Sequence, residues 1–250
     1  MVFWRSRTCL ALLSLLLAQA GLHGQQYPLR QIPNAQGPFP GFDVRYAMGI
    51  APSSPDLAKL VERPTAIYVA GRTIVDPKTG FKVLEGQGDG HGVFDLPLEA
   101  LADVLDPSKD RQGFFPGVLD ERVVLRDGSR TLIYQMVGIS FLGIKLAYPT
   151  ISEVYRDDYP DGSVGFRARL VESLDGRLYQ SYSSWFLVPV RVAGKTMTYA
   201  RTYMRSGLYK PFAGADSLLK AFMPGQLDQI FNDNIHEARR RLQAQRGAAK

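Results

Sequence analysis

The stretch EGQGDGHGVF, residues 85–94, sets Gly86, Gly88, Gly90 and Gly92 at every second position with Asp89 and His91 between them. Three chemistries would use such a run: a phosphate cradle, a metal site through Asp89 and His91, or a strand that something must approach closely. A nucleotide loop needs G-x-G-x-x-G or G-x-x-x-x-G-K-[ST] between a strand and a helix. The alternate glycines give neither spacing, and Val93-Phe94 intervene before any helix. A metal would require at least one more well-placed ligand, and Asp95 is the only near candidate. His236-Glu237 begins like H-E-x-x-H, but HEARR lacks the second histidine and with it the zinc-protease pattern. In an extended strand the four glycines share one face and Asp89 and His91 the other. Close packing of another segment, such as a long helix, on that bare face is the expected use.

Other reactive types fare no better. The serines of GIS and SYSSW lie outside G-x-S-x-G. The paired acids Asp157-Asp158 and Asp120-Glu121 sit at strand ends beside turns, where solvated carboxylates are ordinary. The richer signal is aromatic and basic. In MTYARTYMR, alternation puts Tyr199, Arg201, Tyr203 and Arg205 on one face and Thr198, Ala200, Thr202 and Met204 on the other. Tyr182 and Trp185 lie on the preceding strand, and Tyr148, Glu153 and Tyr155 on an earlier one. Tyrosines join an apolar body to a polar tip, which suits a pocket for an amphipathic molecule. An inward arginine would pair with a carboxylate or phosphate. Parity alone leaves open which face turns inward.

These residues need elements to position them. TAIYVAGRTIV and FKVLEGQG read as two strands joined by the turn DPKTG. Leu98, Leu101, Ala102 and Leu105 recur at helical spacing between Pro97 and Asp106-Pro107. DRQGFFPG holds at most one further helical turn. From 121 to 206 the pattern is alternation, with hairpins at Asp127-Gly128 and Asp175-Gly176 and a bulge or edge at Pro149. No helix separates these strands, so they form an antiparallel meander. Leu218, Leu219, Phe222 and Met223 suggest a short helix broken at Pro224-Gly225. The stripe Leu227, Ile230, Phe231, Ile235, Ala238 and Leu242 then gives a long helix over about 224–243.

The chain has 250 residues, a net charge of +6 and one cysteine. Arg5 and Arg7 precede TCLALLSLLLAQA and an Ala18-Gln19-Ala20 end, the form of a cleaved secretory leader over 1–20. Cys9 lies inside it, so a mature periplasmic or secreted protein would have no thiol and would depend on its core. Residues 21–64, rich in Pro, Gly and Gln, read as an extended or partly disordered lead-in. The basic tail EARRRLQAQRGAAK suits a solvated helix end better than nucleic acid.

The order of these pieces resembles the START-like superfamily, also called the helix-grip or Bet v 1-like fold. GHGVFDLPLEALADVLDP leading to FFPGV, and SWFLVPVRVAGKTMTYARTYM leading to the last helix, carry the likeness over about 82–244. It implies an α+β fold in which a curved antiparallel sheet grips the C-terminal helix, and a cavity for a lipid or other apolar molecule. On this reading 65–245 is the ligand-binding domain and 246–250 a basic tail. The expected wall is Tyr148, Tyr155, Tyr182, Trp185, Tyr199, Tyr203, Leu227, Ile230 and Phe231, with Arg201 as polar anchor. The expected partner is a hydrophobic or amphipathic small molecule, without cofactor, metal or nucleic acid, and transient contact with a membrane surface is compatible with it. Two other classes stay open: a cavity enzyme of cyclase, dehydratase or hydrolase type, and an interaction module of the cell envelope.

Overall fold

The computed structural model describes residues 56–248 apart from 107–116, 129, 142–143 and 212–213. The expected leader, most of the lead-in and most of DRQGFFPG therefore lie outside the described residues. A 3-10 turn, Leu57–Leu60, is capped by the Asp56 carboxylate, which accepts from the Ala58 amide at 3.2 Å. Two strands follow, β1 (Thr65–Val75) and β2 (Lys82–Phe94), then the helix α1 (Leu98–Leu105). The remaining strands are β3 (Val118–Asp127), β4 (Arg130–Phe141), β5 (Ile144–Asp158), β6 (Val164–Ser173), β7 (Leu178–Val192) and β8 (Lys195–Tyr209). The helix α2 (Ala215–Ala248) ends the chain's described part.

All eight strands join one curved antiparallel sheet in the order β1-β2-β8-β7-β6-β5-β4-β3. After β2 the chain crosses through α1 to the far edge and then meanders back until β8 lies beside β2. The hairpins fall where Asp-Gly pairs predict them. Gly176, at φ +66, takes a left-handed conformation that side chains resist. Pro149 lies within β5, a central strand, paired with Met136 in a β4 ladder that has no register shift. The shift between β5 and β6 leaves its extra residue on β6, so the bulge or edge expected at Pro149 is corrected.

The apolar positions predicted for α1 close the core. Leu98, Leu101, Ala102 and Leu105 are all buried, and they pack with Phe231, Ile235 and Ala238 of α2 and with Val164, Phe166 and Leu187 of the sheet. Burial of each large side chain there contributes about 1.5–3 kcal/mol.

One boundary departs from expectation. No break occurs at Pro224: α2 runs through it for 34 residues. An interior proline forfeits a backbone bond and crowds the preceding turn, at about 3 kcal/mol. Both flanks are anchored, Ala215 on one side and Leu227 on the other, each 1% exposed, while Gly225 is exposed. Burial of the flanks offsets a defect that sits toward solvent.

Candidate functional site

The glycines of β2 are the seat of α2. A Cβ at Gly90 would stand 2.6 Å from the Phe231 ring, and one at Gly88 would stand 2.8 Å from Leu227 Cδ1. A side chain at Gly90 would press on that ring, and one at Gly88 would displace the end of the Leu227 side chain. Phe231, fully buried, meets Trp185 edge-on at 5.1 Å between ring centroids and lies tilted on Phe94 at 5.9 Å. These contacts fix the inner face. On β8 it carries Thr198, Ala200, Thr202 and Met204, the cross-strand partners of Phe94, Gly92, Gly90 and Gly88.

Helix α2 packs chiefly on β1, β2 and α1. The same inner face continues across β7, β6, β5 and β4 through the pairs Ser183–Met204, Ala168–Ser183, Val154–Ala168 and Thr131–Val154. On β4 and β5 it presents Ile133, Tyr148, Thr150, Ser152 and Val154, all buried. Thr150 Oγ1 donates to the Gln135 carbonyl at 3.2 Å, and the Gln135 side chain donates to Glu121. Burial pushes the Tyr148 hydroxyl pKa up, opposed by the Arg177 guanidinium stacked 4.8 Å over its ring. This half of the concave surface mixes hydroxyls with aliphatic groups and lies outside the principal contacts of α2. On α2, Asn234 is fully buried.

The structure divides the predicted wall between two faces. Trp185, Tyr148, Leu227 and Phe231 are on the inner face or meet it, and Ile230 is half-buried against the same core. Tyr155, Tyr182, Tyr199, Arg201 and Tyr203 are on the opposite face, since each is one residue out of step with the inner rows. Tyr182 and Trp185, three apart, cannot share a face of one strand. The expectation of a single wall anchored by Arg201 is therefore corrected. Arg201 donates to Asp89 from Nε at 3.1 Å and from Nη2 at 2.7 Å, and the Asp89 side chain is 0% exposed. Burial works against the Arg201 charge, but the bond and charge of Asp89 more than offset it and raise its pKa.

The rest of that outer face is equally engaged. Tyr203 donates to Gln87 at 3.2 Å, Arg205 donates to Glu85 at 3.0 Å, and the Tyr199 hydroxyl lies 3.4 Å from His91 Nδ1. On β5, Glu153 accepts from Arg130, Arg169 and the Tyr155 hydroxyl. The paired acids near turns are ion-paired too: Asp157 with Arg167, Asp158 with Arg156. Among the described residues no cluster of three His, Cys, Asp or Glu is placed to hold a metal. Sequence reasoning missed Thr150, Ser152, Gln135 and Asn234. The glycine row carried a usable signal, because bare backbone marks the face a helix must reach, and the small residues of β8 belong opposite it.

No protein-family model and no curated protein matches the chain. Solved structures do. Human StAR-related lipid transfer protein 5 shares 14% identity at a TM-score of 0.53, over 69% of this chain and 86% of that one. Human STARD10 shares 11% identity at a TM-score of 0.51, over 72% and 76%. At such identities the likeness is one of architecture: the chain has the START-like helix-grip fold.

Proposed function

We propose that this chain is an exported START-like protein that binds or carries a hydrophobic or amphipathic small molecule between its sheet and its long helix. The observation that carries the reading is the inner face of β4 and β5. Tyr148, Thr150 and Ser152 are buried there beside Ile133 and Val154, yet lie outside the principal contacts of α2. Protein interiors are close-packed, so a curved sheet gripped at one side by a single rod leaves space for a guest. Mixed hydroxyl and aliphatic lining suits a molecule with a long apolar body and few polar atoms. The name of one protein of the same fold, a lipid transfer protein, points the same way. Export and a periplasmic or secreted location follow from the leader-like residues 1–20 and are part of the proposal.

The test is native mass spectrometry of the full chain expressed with its own leader, recovered from the exported fraction and then extracted with solvent. A stoichiometric adduct of lipid-like mass is expected. Ser183→Phe, which fills the inner face, should lose the adduct while keeping the far-ultraviolet circular dichroism. A chain recovered empty, and empty again after incubation with mixed lipid vesicles, would overturn the reading.

A further inference from the structure

Asn234 is the buried polar group that neither the fold nor the outer ion pairs explain. Its side chain is 0% exposed. Its Nδ2 donates to the Ile230 carbonyl one turn back at 2.7 Å, while its Oδ1 is buried and has no hydrogen-bond partner among the described residues. The first bond fixes the amide's orientation. A flipped amide would set Oδ1 against a carbonyl oxygen, so the open atom is the acceptor. Seven residues separate Asn234 from Leu227, which places both on nearly the same line of the helix, and Leu227 is the side chain that covers Gly88. Three residues separate it from Phe231, which covers Gly90. The amide is thus turned toward the inner face of the sheet, into the layer between sheet and helix in which the guest is proposed to lie. A buried acceptor without a donor is costly, and leucine in its place would avoid that cost.

We propose that Asn234 Oδ1 is the polar contact of the ligand site and receives a hydroxyl or amide N–H from the buried end of the guest. This rests on the ligand-binding reading above and narrows it. The guest is then a neutral molecule with a donor at its buried end, such as a long-chain alcohol or a hydroxylated lipid. A carboxylate or phosphate at that end has no proton to offer and would face a carbonyl dipole of the same sign. The arginine most exposed to suspicion as an anion anchor, Arg201, is committed to Asp89 on the other face.

The experiment compares matched probes on the full chain. Dodecan-1-ol, its methyl ether and dodecanoate are titrated against a bound fluorescent reporter, for the wild type, Asn234→Leu and Asn234→Ala. The wild type should prefer the alcohol over the ether by about tenfold, with dodecanoate weaker than the alcohol. Both variants should bind alcohol and ether alike, and Asn234→Leu should melt no lower than the wild type. Equal affinity of the wild type for alcohol and ether would mean that trapped water satisfies Oδ1, and would overturn this inference while leaving the ligand reading intact. Displacement by none of the three probes would overturn both. Should the leucine variant fail to fold, the alanine variant and the wild-type ratio still decide.

Discussion

Strand β8 turns two different chemistries to its two sides. Its inner row, Thr198, Ala200, Thr202 and Met204, is small where α2 comes near. The two hydroxyls are turned back to the backbone, Thr198 to the Leu96 carbonyl at 2.7 Å and Thr202 to that of Ser184 at 3.1 Å. Its outer row, Tyr199, Arg201, Tyr203 and Arg205, is large and polar and is matched residue by residue by His91, Asp89, Gln87 and Glu85 of β2. The inner row makes room and the outer row settles charge. In the proposed ligand reading, polar contacts to a guest would then come from the hydroxyls of β5 and from α2.

Breaking the outer row should give the largest effect. Arg201→Met leaves the Asp89 carboxylate buried without its guanidinium and should cost about 3–5 kcal/mol in urea unfolding. The double variant Asp89→Leu with Arg201→Met should recover most of that loss, as replacement of both partners of a buried pair often does. A double variant as unstable as the single one would show that the pair is not the main source of the loss. Crowding the inner row comes next. Gly90→Ala drives a Cβ into the ring of Phe231, itself held between Trp185 and Phe94, and should cost about 2–3 kcal/mol. Gly88→Ala meets the end of the Leu227 side chain and, less closely, the Met204 side chain, both flexible, and should cost about 1 kcal/mol. Equal losses at the two sites would show that the Phe231 cluster is looser than its contacts imply.

A smaller effect is expected where α2 meets α1, outside both rows. Hydrogen bonds from Arg240 hold the Glu237 carboxyl well down, at about 2, against burial and with help from Arg241. Arg241 also reaches Asp103 of α1 at 3.0 Å. A depressed carboxyl contributes stability that is present above its unfolded pKa, near 4.5, and is lost as pH falls toward 2. Glu237→Gln should cost about 1–2 kcal/mol at neutral pH, discounted because Arg240 is largely exposed. The difference from wild type should vanish by about pH 2, read from urea midpoints across that range.

The order of elements was legible because period-two and period-3.6 patterns are local, and the Asp-Gly turns are local too. The close approach at Gly88 and Gly90 was legible for a similar reason, since four glycines on one face leave few other uses. Two things were not. The continuity of α2 through Pro224 depends on burial of Ala215 and Leu227 on either side, which is a tertiary fact. The sidedness of Arg201 depends on the register of β8 against β2, set by pairing of residues 112 positions apart, and a shift of one residue would have reversed it. Asn234 looked like one more polar residue of the helix until the stripe around it was seated.

His91 offers the finest probe of the outer row. It is 4% exposed, and burial pushes its imidazole below the ordinary value of 6.5, with the Asp89 charge opposing and the Arg201 charge assisting. The unfolded chain therefore takes up the proton first as pH falls. Stability from this site is complete above about 6.5 and declines as pH drops through 6.5 toward the lower folded value. His91→Gln should remove that slope while keeping a polar group beside Tyr199, seen as urea midpoints that change less than those of the wild type between pH 7.5 and about 5.5. Arg201→Met combined with a less denaturing condition should reduce the slope as well, because losing the guanidinium raises the imidazole pKa toward its ordinary value. A slope unchanged by His91→Gln would mean that the imidazole is solvated in the native state, and the outer row would then be less closed than its inner counterpart.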